Sequence, residues 1–367
     1  PFIKGMFDYI VGESSYDEYE YYILASGRRV YRDEVSVIPN GYNLPLNTVQ
    51  VIDSKTDNDT KINLALLWKV PVSVSFPGQK YSKTYNDREY GVWSFTGTAV
   101  DFTFHHTGNA SGAIDVSKSN TLSSAEWIKE NNGTCKLRLK FRRTGVFYGY
   151  SIAFNRDGSL EITINNKSSN SLQGCAIMLD AGHGGTDSGA LCCISSVGSR
   201  KYEKQINLLI AEKVKEKLQS EGATVLMTRS GDPTLSLDSR RNAIQSAKPD
   251  IFISIHCDAS ESSGDMGTSA YYHYPYSFPL ADKIHKRIVS SYISGIYKGN
   301  PQLHSKVDRQ TLFYPFRVAR VEECPAILIE YGFVTNITEC AALQKDSTIN
   351  TLADATVLGI TDYIKAF

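Results

Sequence analysis

Apolar positions follow two different rhythms along this chain. Up to residue 166 almost every apolar run has strand character: Tyr21–Leu24, Thr48–Ile52, Lys61–Trp68, Val72–Phe76, Val92–Phe95, Ala99–Phe104, Cys135–Arg142, Val146–Phe154 and Leu160–Ile164. Several alternate, as in Leu137-Arg138-Leu139-Lys140-Phe141, which predicts half-exposed antiparallel strands. Asn155-Arg156-Asp157-Gly158 predicts a hairpin turn, and one helix is predicted over Ser123–Glu130. Beyond residue 175 the pattern changes. Short continuous runs end at Leu179, Ile255 and Ile329, of the kind buried on both faces of a parallel sheet. Between them Ile206, Leu209, Ile210, Val214 and Leu218 recur at helical spacing up to Glu221-Gly222. A strand is predicted over Thr268–Tyr274, with helices over Leu280–Tyr292 and Ile349–Ile364. Ser294–Asp308, around Gly299-Asn300-Pro301, is a loop-rich excursion long enough for a rim or lid. The polar stretch Asn166–Ser171 separates the halves. The chain therefore divides into a β-rich accessory domain (1–166), a linker (167–174) and an α/β domain (175–367), with no internal repeat.

The chemistry concentrates in the second half. His183 follows the first buried run in Asp180-Ala181-Gly182-His183-Gly184-Gly185, where glycines let backbone approach a ligand closely. His256 closes Ile251–Ile255, on the face of Ser254 and Phe252 and opposite Cys257. Glu203 opens the helical segment; alone it reads as an ordinary first-turn glutamate. Glu330 ends Ala326–Ile329, where a carboxylate is costly unless paired, protonated or near a metal. Ligands of open α/β sheets bind outside the carboxyl ends of the strands. If these strands are parallel, His183, His256 and Glu330 crowd one rim and Glu203 leans over it. Two imidazoles and a carboxylate form a zinc set with an open fourth position, and the second carboxylate is left to move protons.

Composition narrows the field. The 367 residues carry 39 Lys and Arg against 39 Asp and Glu, so no basic nucleic-acid footprint exists. No apolar run is long enough to span a bilayer. The chain begins at Pro1, so a signal segment is taken to have been removed and the protein to be extracytoplasmic, secreted or wall-associated. Seven cysteines (135, 175, 192, 193, 257, 324 and 340) do not read as a disulfide framework. Cys192-Cys193 could line the site or react, with the inert reading preferred. His105-His106, if in a strand, face opposite ways. Tyr16 to Tyr22 and Tyr148/Tyr150 form a candidate carbohydrate-stacking surface, against the commoner fate of packing.

Residues 175–367 resemble the zinc-dependent N-acetylmuramoyl-L-alanine amidases of bacterial cell-wall metabolism (the amidase-3 type). The matching motifs are Asp180–Gly185, Tyr202–Leu208, Thr228-Arg229, Leu237 to Arg240, Ser254-Ile255-His256 and Pro325 to Phe333. The resemblance implies a twisted mixed sheet flanked by helices, with one zinc per chain on His183, Glu203 and His256. It implies Glu330 as catalytic acid/base, hydrolysing the bond between the lactyl group of N-acetylmuramic acid and L-alanine of the stem peptide. The partners implied are peptidoglycan and, through the first domain, a protein activator or wall glycan. Two departures stand out: Ser269 where a glutamate is usual, and Cys257 where alanine is usual. Arg229, Arg240 and Arg320 are candidates for holding substrate carboxylates, with surface ion pairing as the alternative. Asp180 either orients a ligand histidine or caps the turn. His273 and His304 are candidates for the rim, with a solvated-loop reading preferred. The competing functions are an inactive wall-binding module and a zinc peptidase on a related scaffold.

Overall fold

A computed structural model describes every residue except 1–2, 17–18, 39–42, 86–87, 167–169, 194–200, 299–300 and 367, and leaves aside the side chains of 83–90, 301 and 304. Part of the predicted linker, Gly299-Asn300 and the His304 side chain thus lie outside the described residues. The chain folds as two compact units. One comprises Pro1–Gln79, Thr96–Gly145 and Tyr150–Asn166; the other comprises Lys80–Phe95, Val146–Gly149 and Lys167–Phe367.

The first unit is built of strands. A five-stranded sheet runs Thr107–Ser111, Asn47–Thr56, Thr60–Leu66, Leu160–Ile164, Tyr150–Phe154; a four-stranded sheet runs Leu122–Lys129, Cys135–Phe141, Ala99–Phe104, Val72–Ser75. Alternation is obeyed in Cys135–Phe141, which buries Cys135, Leu137, Leu139 and Phe141. The hairpin turn at 155–158 also forms, closed by Asn155 N–H to Ser159 O at 2.8 Å.

Three local expectations within residues 1–166 fail. The segment predicted as a helix, Ser123–Glu130, is the strand Leu122–Lys129, paired antiparallel with Cys135–Phe141. Its Ala, Glu and Lys suit a helix, but a ladder partner outweighs intrinsic propensity. Val92–Phe95 forms no strand. Its apolar residues are explained by packing: Val92 is 3% exposed, and Phe95 meets the Tyr276 ring edge-on at 6.3 Å. Val146–Phe154 shrinks to Tyr150–Phe154, because Gly145 and Gly149 adopt φ of 77° and 106° and break the extended run. His105-His106 lie in a turn, not a strand, with His106 at φ 53°.

The second unit is an α/β layer structure around a six-stranded sheet. Its spatial order is Thr224–Met227, Ala176–Ala181, Ile251–Asp258, Ala326–Phe333, Thr268–Tyr272, Asp308–Phe313. The first four strands are mutually parallel; Thr268–Tyr272 runs antiparallel to Ala326–Phe333 and parallel to Asp308–Phe313. Period 2 sorts the sheet's side chains. Ile177, Leu179, Ile253, Ile255, Ile327 and Ile329 share a core with helices Glu203–Ser220, Phe278–Ser291 and Asp346–Ala366. Met178, Phe252, Ala326 and Leu328 face Ile244 of helix Leu237–Ala247, with Val318 and Val321. Fully burying a side chain such as Ile210 or Val214 contributes roughly 2 kcal/mol, so these faces fix the register that the site needs. The edge strand Asp308–Phe313 was not foreseen, because its polar Asp-Arg-Gln start hides a partner-dependent ladder.

Candidate metal centre

Parallel pairing brings the strand ends to one rim. Ala181 is level with Ile255, and His256 is directly opposite Glu330. The turn after Ala181 puts His183 in the left-handed region, φ 60°. That strained turn is pinned by two buried arginines. Arg229 donates Nε to Ala181 O at 2.8 Å and Nη2 to Gly182 O at 2.9 Å; Arg240 donates Nη2 to His183 O at 2.7 Å. Both are at most 4% exposed, so neither the carboxylate-holding nor the surface-pairing reading survives. Arg240 also pairs with Asp180, a fully buried carboxylate that takes the hydroxyls of Thr228 at 2.6 Å and Ser254 at 2.8 Å. Asp180 thus neither orients a histidine nor caps the turn; it anchors Arg240. The residue beside His183 is Asp187, with Oδ2 2.8 Å from Nδ1 but off the line of a hydrogen bond.

Glu203 begins helix Glu203–Ser220 and points its carboxylate back into the unit. Oε1 lies 3.0 Å from His256 Nδ1 and accepts from Cys257 N–H and Asn207 Nδ2 at 3.1 Å; Oε2 lies 3.0 Å from His183 Nε2 and accepts from Ala190 N–H at 3.1 Å. Burial alone would raise the pKa of this carboxyl, yet the two imidazoles prevail and hold it well below the usual carboxylate range. Burial pulls the His183 imidazole down, and Glu203 with Asp187 more than reverses that. The rings of His183 and His256 meet edge to face at 4.8 Å.

One donor atom each from His183, Glu203 and His256 lie within 4.8 Å of one another. Glycines make the room: a Cβ at 182 would overlap the His256 ring, and one at 189 would lie 2.5 Å from Glu203 Oε2 and 2.7 Å from His183. Two borderline nitrogen donors and one carboxylate suit zinc, so the residues present fit that ion.

Glu330 closes the arrangement. Its Oε2 is buried without a hydrogen-bond partner, and burial, with the nearby carboxylates of Glu203 and Asp258, pushes its pKa well above the usual value. Ser269, in place of the family's usual glutamate, is level with Glu330 on the antiparallel neighbour. The same register carries His273 to the other end of the sheet, where burial, reinforced by Arg320, lowers its imidazole to about 4. Cys192 is fully buried and its thiol pushed up by burial, which agrees with the inert reading. Sequence reasoning missed Asn207 and Asp187, although both stand four residues beyond the group they touch, a spacing that puts Asn207 above Glu203 on one helix face.

A rim that gathers two imidazoles, a buried bridging carboxylate and a second, protonatable carboxyl is the kind used by metal-dependent hydrolases. The chain belongs to the N-acetylmuramoyl-L-alanine amidase family, whose model matches residues 177–362. It is 32% identical over 201 residues to the N-acetylmuramoyl-L-alanine amidase LytC of Bacillus subtilis (strain 168), covering 53% of this chain and 37% of LytC. It is 34% identical over 202 residues to the probable cell wall amidase LytH of Staphylococcus aureus, covering 55% and 62%. Thus the chain spans between 37% and 62% of the length of these curated relatives. Among solved structures, the catalytic domain of CwlV, an amidase from Bacillus (Paenibacillus) polymyxa var. colistinus, is 32% identical. The match covers 53% of this chain and 99% of that domain, with a TM-score of 0.46.

Proposed function

We propose that the second unit is a zinc-dependent amidase that separates stem peptides from peptidoglycan at the lactyl–L-alanine amide. The observation that carries this reading is the convergence of three donor atoms within 4.8 Å beside Glu330, on a family-matched sheet. His183, Glu203 and His256 would hold one zinc ion. Bound there, zinc supplies a Lewis acid and lowers the pKa of a coordinated water to roughly 7. Glu330 takes a proton from the attacking water and delivers it to the departing nitrogen, since an unprotonated amide nitrogen is a very poor leaving group. Its buried carboxyl can carry that proton between the two steps. Asn207 and the N–H groups of Ala190 and Cys257 keep Glu203 in its orientation, as outer-shell partners of metal ligands do.

The name of the probable cell wall amidase LytH supports a wall-associated, extracytoplasmic site of action. No helix among the described residues is long and apolar enough to cross a membrane. The first unit is assigned wall-glycan or partner docking. Tyr16, Tyr19 and Tyr31 are 78%, 49% and 42% exposed in a three-stranded sheet of Ile10–Tyr16, Tyr19–Leu24 and Arg29–Tyr31, a stacking surface for sugar rings. Digestion of purified peptidoglycan, with and without a chelator, tests the whole. Release of peptides with a new N-terminal alanine, abolished by chelation and restored by zinc, is expected. Cleavage inside the peptide would indicate a peptidase. No zinc uptake and no hydrolysis after metal reconstitution would indicate a binding module.

A further inference from the structure

The core of the second unit holds thiols that the proposed chemistry leaves unused. Cys192 lies on the segment between His183 and Glu203 that carries Ala190, whose N–H donates to Glu203 Oε2 at 3.1 Å. That segment runs alongside the entry to helix Glu203–Ser220: Leu191 bridges Tyr202 antiparallel, Cys192 N–H donates to Lys201 O at 3.0 Å, and Glu203 N–H donates to Ala190 O at 2.8 Å. Side chains of an extended segment alternate, so Leu191 is left 40% exposed while Cys192 turns inward and is fully buried. A second element meets it there. Just past Ala326–Phe333, Asn336 caps helix Ile337–Leu343, on which Cys340 is also fully buried. Backbone ties the two elements, since Cys193 N–H donates to Val334 O at 3.0 Å. Behind that tie the Cys192 and Cys340 thiols are hydrogen-bonding neighbours, and the Gln344 amide donates to the Cys340 sulfur at 3.4 Å. Burial raises the Cys192 thiol above its ordinary value, which makes it a poor nucleophile once folded. In a chain still folding the same thiol is open to water and reacts as a free cysteine does.

We propose that Cys192 and Cys340 form a disulfide site, closed by exchange with a small-molecule disulfide as the chain folds. One cysteine thiolate attacks the small disulfide and expels a small thiolate, leaving a mixed disulfide on the protein. The thiolate of the other cysteine then attacks the protein-side sulfur and expels the second small thiolate. Each cysteine is oxidised by loss of one hydrogen, and the small disulfide is reduced and departs as a pair of thiols. The new bond joins the segment that holds Glu203 to the helix that follows the strand of Glu330. Oxidation thereby staples two elements far apart in the chain, and the staple forms whether or not a metal is bound.

The test uses the full chain, reduced, treated with chelator, unfolded in urea and refolded with either oxidised glutathione or dithiothreitol. Peptide mapping of the oxidised wild type should give one linked peptide joining Cys192 to Cys340, absent from the dithiothreitol sample. The oxidised form should melt roughly 5–10 °C higher, as for an unstrained crosslink between distant residues, and return to the lower value on reduction. Cys193→Ser should keep the linked peptide and the rise in melting temperature, whereas Cys192→Ser and Cys340→Ser should lose both. The wild-type map fixes the pairing even if a serine variant fails to fold. No linked peptide in the oxidised wild type, a bond to Cys193 or Cys257 in its place, or an oxidised form that melts no higher than the reduced one would each overturn the assignment.

Discussion

Arg240→Met is the most informative perturbation of the frame behind the metal. It deletes the ion pair to Asp180 and the bonds to Ala181 O and His183 O. Asp180 is left fully buried, with only the hydroxyls of Thr228 and Ser254. Removing one partner of a buried pair costs about 3–5 kcal/mol, mostly as the penalty of the stranded charge. For a unit of this size each kcal/mol is worth roughly 2–4 °C, so the melting temperature should fall by roughly 10 °C. Losing the tie on the His183 carbonyl should also weaken zinc binding by about 10- to 100-fold. Calorimetry and chelator-competition titration measure the two effects. Asp180→Asn combined with Arg240→Met removes the stranded charge and should recover more than half the lost stability, a coupling of about 2 kcal/mol. If Arg240→Met melts within about 2 °C of the wild type with unchanged zinc affinity, or the double variant is no better than the single, the network does not hold the His183 turn.

Two substitutions should separate metal binding from proton transfer: His183→Ala should lose most of its zinc by elemental analysis, whereas Glu330→Gln should keep about one zinc per chain and lose hydrolysis; full activity in the latter would remove Glu330 from the mechanism. Glu339, raised to about 7 chiefly by burial, accepts from Gly267 N–H, Phe333 N–H and the Tyr297 hydroxyl. Because its folded pKa lies above the unfolded value, its contribution is complete below about pH 4.5 and is lost as pH rises through 7, at most roughly 3 kcal/mol. Urea denaturation of the chelated protein from pH 5 to 8 should show that decline, and Glu339→Gln should flatten the slope; an unchanged slope in the variant would assign it to other groups.

The second half was legible because its strands are buried on both faces: continuous runs such as Ile251–Ile255 permit little else, and their carboxyl ends fix where ligands gather. His183, His256 and Glu330 therefore read as neighbours on one rim, with Glu203 leaning over it. What escaped was information carried by partners. Leu122–Lys129 looks helical until the strand Cys135–Phe141 stands beside it. Arg229 and Arg240 look like solvent-facing cations until the strained His183 turn presents its carbonyls to them. Asp180 reads as a histidine orienter or a turn cap, because its counter-charge lies 60 residues away. The register shifts within Ala326–Phe333 and Asp308–Phe313 leave no periodic mark, since each adds a single residue.

The order of the strands along the chain also sets when each candidate group becomes available during synthesis. Glu203 and His256, 53 residues apart, come together only when Ile251–Asp258 pairs beside Ala176–Ala181. Ala326–Phe333, the last of the four parallel strands in the chain, lies on the far side and brings Glu330 level with His256. Contacts this distant in sequence form slowly, because loop closure must precede any gain from pairing. On the proposed reading, a chain emerging from synthesis thus carries all three candidate metal ligands before Glu330 is made.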